Sequence, residues 1–303
     1  MMQHIFILNP TAGSGKAKSL KKDIENYCNQ NNINYKLIIT THVNHASEIA
    51  KKYSIKDNVC LYSIGGDGTA YEILNGINDK VPLSVIPAGT GNDFFKMISN
   101  NNEDILKILI DSINGRNVNV DYGVANNKRF LNSTTLGLDA KVNHIACSIL
   151  KNKIIPKNLI YKVASVMGIL RPKAFKLKIE LDDKIIEQES MLVAVMNGKY
   201  YGNGVNPIED VSIQDGCFDI IVVDKIPLLK LPILLPKYLK GDTKDIEEMK
   251  IYKSKKVSIY TDELIYAQSD GENFKSKHIV FDIMENALTL RVPNYSKLNG
   301  STN

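Results

Sequence analysis

The sequence predicts an α/β domain with a mostly parallel sheet, followed by an antiparallel β-sandwich domain with helical insertions. Three observations predict it. Up to Asp121, strand and helix patterns alternate, as in a parallel sheet covered on both faces. Beyond Asp121 the pattern turns to strands joined by short turns. The 303 residues leave room for two cores at about 150 residues per domain.

The elements follow in order. "HIFILN" reads as a buried strand and "KAKSLKKDIENYCNQ" as a polar helix. "NYKLIITT" is a second strand, and "NHASEIAKKYS" a helix opened by an Asn cap. "NVCLYSI" is a third strand, followed by a helix with Ala70, Ile73, Leu74 and Ile77 on one face. "PLSVIP" is a fourth strand, before helices starting in "GTGNDFFKMI" and "EDILKILIDSIN". Past "NVNVDYGV", hairpins are expected around Asp182–Asp183 and Glu285–Asn286, with helical stretches near 140–170 and 227–240. The resulting domains are 1–124 and 125–295, with a polar tail, 296–303, expected to fray.

Composition narrows the function. Apolar residues make up 44% and charged residues 23%, as in a soluble globular protein. The net charge of +5 is too small for a nucleic-acid-binding arm but suits an anionic membrane surface or a polyphosphate ligand. Cys28, Cys60, Cys147 and Cys217 form no CxxC pair, which points to reduced thiols in a cytosolic protein. "MMQHIFILNP" is too short an apolar run for a signal peptide, and no run of about 18–20 apolar residues predicts a bilayer span. His42 and His45 lack a third ligand at metal spacing and read as surface residues.

Three glycine-rich stretches, "NPTAGSGK", "GGDGT" and "GTGND", each follow a strand directly. In a parallel sheet all three crowd one edge, where ligands bind. Pro10 stands where a P-loop needs its first glycine, and no GxGxxG occurs. Glycine backbones and helix N-termini still suit phosphate, with Asn9, Thr11 and Lys16 as further donors. Asp67 and Asp93 put acids in these anion-binding loops. A divalent cation between carboxylate and phosphate resolves the conflict; the alternative is that Asp67 or Thr69 simply caps its own helix.

"GGDGT" with "PAGTGNDF" resembles the diacylglycerol kinase-like lipid kinase family, in its soluble bacterial branch. "NPTAG", "VDYG", "LGLDAKV", "MNGKYYGNG", "DGCFD" and "SDGE" continue the resemblance in order through most of the chain. GGDGT alone also suits NAD kinases and phosphofructokinases. The resemblance implies an α/β nucleotide-binding domain, a β-sandwich lipid-acceptor domain and an active site in the cleft between them. It implies ATP as donor, Mg²⁺, and a lipid hydroxyl as acceptor. By this resemblance Asn9, Pro10, Thr11, Ala12, Gly13, Thr41, Gly65, Gly66, Asp67, Gly68, Thr69, Ala70, Tyr71 and Thr90 contact ATP, with Lys16 a further phosphate contact. Asp67, Asp93 and Asp121 organise Mg²⁺ and phosphates, and Glu272 is the base, with Asp67 its rival. Read without the resemblance, Glu272 is a solvated acid in a DG turn. A structural Mg²⁺ would take the Asp215 carboxylate and the backbone carbonyls of Ser212 and Cys217; the alternative there is an ordinary turn entering a strand.

From Lys151 to Lys178 eight basic residues and no acids interleave with apolar ones, a pattern for a membrane-surface helix or for a helix packed on its own domain. "IPLLKLPILLPKYLK" at 226–240 fits the packed helix better. The expected partners are a lipid at the inner face of the membrane and ATP, without nucleic acid, and a homodimer is compatible. Lys96 stands where the family often has Arg, Asn203 interrupts a frequent glycine run, and "TTLGLDA" lacks an aromatic commonly found before the Asp; these affect the acceptor side. An NAD kinase-like enzyme and a catalytically silent nucleotide- or lipid-binding regulator are the rivals.

Overall fold

The computed structural model describes residues 2–78, 80–99, 104–152, 160, 163–165, 167–168 and 173–300. Half of the basic stretch 151–178 lies outside the described residues.

In the first lobe, β1 (Gln3–Leu8) pairs in parallel with β2 (Tyr35–Ile39) and β3 (Val59–Gly65), and β3 with β4 (Leu83–Pro87). β3 is buried along its whole length, which explains its unbroken apolar run. Around this sheet lie α1 (Lys16–Gln30), α2 (His45–Ala50), α3 (Asp67–Leu74), α4 (Phe95–Ile98) and α5 (Ile105–Ile113). Ala70, Ile73, Leu74 and Ile77 are buried, as their spacing requires. Asp104 caps α5 by accepting from the N–H groups of Leu106 and Lys107. Asn44 does not cap α2. It sits at φ +68°, and the Glu72 carboxylate of α3 accepts from the N–H groups of Asn44 and Ala46 instead.

The second lobe contains β5 (Arg116–Ala125), β6 (Lys128–Phe130), β7 (Ser133–Gly137), α6 (Leu138–Asn152), β8 (Phe175–Glu180), β9 (Ile185–Met196), β10 (Phe218–Asp224), α7 (Leu231–Lys240), β11 (Met249–Ser254), β12 (Lys256–Ser269) and β13 (Glu272–Val292). β7 and β8 each pair antiparallel with both β9 and β12, closing a circuit of strands. Phe130, Phe218 and Phe281 pack together within it, with ring centroids 5.8–6.4 Å apart.

Two expectations change. Asp182–Asp183 form the β8–β9 turn, but Glu285–Asn286 make no hairpin. β13 runs on through a register shift between Met284 and Leu288, where Asn286 has φ +50° and its N–H finds the Asp121 carboxylate. Leu288, Leu290 and Val292 then return to the first lobe's core, and Leu290 pairs in parallel with Leu83 of β4. The tail is tied down at 296–299: Ser296 Oγ donates to the Ile98 carbonyl, Arg116 donates to the carbonyls of Ser296 and Leu298, and Asn299 N–H donates to Gln214.

Candidate active site

The three glycine loops meet at the carboxyl ends of β1, β3 and β4. Two contacts require glycine. Gly13 has φ +56°, and a Cβ there would lie 2.4 Å from the Ala88 carbonyl oxygen. A Cβ on Gly89 would lie 2.3 Å from the Cα of Gly66. Asn9 Nδ2 donates to Thr69 Oγ1 at 3.1 Å, and Asn9 Oδ1 accepts from the Thr11 N–H and hydroxyl. Asn92 Oδ1 accepts from the Gly89 N–H at 2.9 Å.

Neither Asp67 nor Thr69 caps α3, whose N-cap is Gly66. Asp67 instead reaches across to the neighbouring loop, accepting from the N–H groups of Asp93 and Phe94, both at 3.0 Å. Burial pushes its carboxyl upward, and these two amides oppose the shift. A carboxylate has about four acceptor positions, so Asp67 keeps capacity for another ligand.

Asp93 is engaged differently. It is buried, with Lys96 Nζ 2.6 Å from Oδ1 and the Asn203 N–H donating to Oδ2 at 2.8 Å. Lys96 and Asn203, two of the departures from the family pattern, thus meet on one carboxylate and join the lobes there. Asp121 is also buried. It accepts from the Gly216 N–H at 2.8 Å and the Asn286 N–H at 2.7 Å, partners outside the glycine loops.

Asp270 (φ +44°) and Gly271 (φ +93°) form the two-residue turn between β12 and β13, which sets Glu272 opposite Ser269. The Asp270 carboxylate accepts from the N–H groups of Leu131, Asn132 and Ser133 at 2.6, 3.0 and 3.1 Å. Burial pushes it up to about 7 against those three bonds, and the charge of Asp67 adds to the rise. Glu272 itself is exposed. Burial, then the negative charges of Asp270 and Glu272, push the Tyr71 hydroxyl up to about 12.

Around 212–217, Asp215 Oδ2 holds Lys253 Nζ at 2.7 Å, while Oδ1 accepts from the Cys217 N–H; Ser212 Oγ accepts from the Gln214 N–H. A cation at Asp215 would therefore compete with an ammonium. No group of three or more His, Cys, Asp or Glu side chains among the described residues is arranged to hold a metal. Thr41 is exposed and contacts His42 and His45, whose rings stack at 4.6 Å. Lys16 and Thr90 are exposed.

A further feature is an apolar cavity of about 120 Å³, walled by Leu138, Val142, Met191, Leu231, Leu234 and Tyr238 and bordered by Asp139. A chain of hydrogen bonds links it to the Glu272 turn. The Gly271 N–H donates to Gln268, Gln268 to Thr135, and Thr135 to Asp139, at 2.6, 2.9 and 2.8 Å. Sequence reading missed Glu72, Asp270 and Gln268, because their partners are distant in sequence. The "DG" turn dipeptide was the one signal for Asp270.

Comparison with known proteins agrees in extent. The diacylglycerol kinase catalytic domain model matches residues 3–125, and the YegS C-terminal NAD kinase beta sandwich-like domain model matches residues 132–292. YtlR of Bacillus subtilis (strain 168), provisionally named a lipid kinase, is 27% identical over 289 residues, covering 90% of this chain and 94% of its own. A diacylglycerol kinase of the same organism is 28% identical over 270 residues, covering 88% of each chain. The crystal structure of a diacylglycerol kinase from Bacillus anthracis str. Sterne shares the fold, with a TM-score of 0.72, 23% identity and 96% coverage of both chains.

Proposed function

This chain belongs to the diacylglycerol kinase-like lipid kinase family, and from that premise we propose that it transfers the γ-phosphate of ATP to a hydroxyl of a diacylglycerol-like lipid. The carrying observation is the close meeting of the three glycine loops, Gly13 against Ala88 and Gly89 against Gly66, with the Asp67 carboxylate at the start of α3 accepting from the amides of Asp93 and Phe94.

The glycine loops offer backbone N–H groups to a polyphosphate, with the exposed Lys16 as a donor beside them. Asp67 fits a hard cation, because its carboxylate lies against Gly91 with acceptor positions to spare. Mg²⁺ bound there would neutralise charge on the transferred phosphoryl group. Asp93 is held by the Lys96 ammonium and the Asn203 amide, so it positions its loop and a cation there would compete with Lys96. Glu272 takes the acceptor hydroxyl's proton, and Asp270 fixes the turn that carries it. An acyl chain in the apolar cavity would lie one hydrogen-bonded relay away from that turn. The protein acts as a peripheral enzyme at the inner face of the membrane. No described helix is long and apolar enough to cross one.

The test is turnover of ATP with diacylglycerol in mixed micelles, compared with NAD as acceptor. Glu272→Gln should lower kcat by about 10²-fold or more while ATP still binds. Phosphorylation of NAD instead, or turnover unchanged in the variant, overturns the reading.

A further inference from the structure

The segment from Lys225 to Gly241 has two unlike faces. On the inner one Leu231 and Tyr238 are buried, and with Leu234 they wall the cavity. On the outer one Leu229 is 90% exposed, Ile233 65% and Leu228 53%, with Pro227, Pro232 and Pro236 exposed between them. Scattered apolar residues on a surface need no explanation, but a contiguous patch marks an interface. The patch is ringed by Lys225, Lys230, Lys237 and Lys240, and the segment contains no acid between them. Lys225 and Lys230 reach Glu189 and Glu248 on the sheet, whereas Lys237 and Lys240 make no ion pair with any described residue.

Sequence pattern alone favours a packed helix here, and the structure satisfies that for the inner face only. We infer that α7 and the turn before it are a docking surface for an anionic bilayer. Leu228, Leu229 and Ile233 enter the interface, Lys237 and Lys240 meet lipid phosphates, and the helix lies in the plane of the membrane. Charge decides against a second copy of the chain. A two-fold contact through this face would bring its lysines together, whereas anionic lipid supplies the opposite sign. The surface also continues into the cavity wall, so a lipid drawn from the bilayer would pass from one face of α7 to the other. That last link rests on the lipid kinase reading; the docking rests on the surface alone.

The test is co-sedimentation of the full chain, without nucleotide, with vesicles of phosphatidylcholine or of phosphatidylcholine mixed with phosphatidylglycerol. The wild type should bind the mixed vesicles. L229Q/I233Q should weaken that binding about tenfold, and K237Q/K240Q should weaken it by a similar factor on mixed vesicles alone. None of these residues lines the cavity, so both variants should keep wild-type far-UV circular dichroism and turnover of a soluble short-chain diacylglycerol. Three results overturn the inference: no wild-type binding to mixed vesicles, equal binding by the wild type and both variants, or a wild-type dimer that L229Q/I233Q dissolves without lipid. Absent turnover of the short-chain substrate in the wild type would sink the kinase reading and leave the docking result standing.

Discussion

The glycine-loop region and the 212–217 region both gather carboxylates, and they treat them oppositely. In the first, Asp67 accepts two amides and keeps acceptor positions to spare, while Asp93 is met by the Lys96 ammonium and one amide, that of Asn203. In the second, Asp121 accepts two amides in a buried setting and Asp215 is met by Lys253. Burial and proximity to glycine do not mark a catalytic acid. On the proposed reading what marks it is its place at the start of α3, where the glycine loops meet.

The widest break in that contrast comes from paired substitutions. Asp67→Asn keeps one acceptor oxygen for the neighbouring loop but removes the charge. It should cost about 10²-fold or more in kcat and lower the melting temperature only as far as the loss of one of the two loop amides requires. Asp121→Ala leaves the N–H groups of Gly216 and Asn286 unpaired. It should destabilise the fold by about 1–3 kcal/mol and leave turnover per folded molecule near wild type. Steady-state kinetics beside thermal melts would separate the two. If Asp121→Ala instead silenced a stably folded enzyme, Asp121 would belong with Asp67 after all.

Asp270 sits between these extremes, being buried and structural yet one turn from Glu272. Its folded-state value stands near 7 against an ordinary 3.8, because burial penalises the charge. A raised carboxylate value stabilises the fold below the unfolded value, and that contribution disappears as pH rises through the folded one. Wild-type melting temperature should therefore fall between pH 3.8 and about 7 from this group. Asp270→Asn cannot ionise. It should start less stable, because it accepts fewer of the three amides, and should show a flatter slope over the same window. An unchanged slope would mean that the amides of 131–133 already hold Asp270 charged.

Much of this was legible from local pattern. α1 covers the stretch that the sequence marked, and the buried face of α3 follows its helical spacing, because both depend on neighbours within a few residues. The loops converge as strand order requires. What stayed hidden depends on partners far along the chain. Glu72 takes the capping role given to Asn44, Asp270 anchors to 131–133, and Asn286 bulges toward Asp121 instead of turning a hairpin. Lys96 and Asn203 stood out only as departures from a family pattern; their meeting on Asp93 is a tertiary fact.

The smallest effect tests the other half of the contrast. Lys253 and Asp215 are partly exposed, so Lys253→Met should change stability by less than about 1 kcal/mol in the absence of divalent cation. It also removes the ammonium from the carboxylate expected to ligate a structural Mg²⁺. If cation and ammonium compete for Asp215, adding MgCl₂ should raise the melting temperature of the variant more than that of the wild type. Asp215→Asn in the same background should abolish the difference. Equal responses in all three proteins would mean that Asp215 is a partner for Lys253 alone, and that the 212–217 turn is held by its own hydrogen bonds.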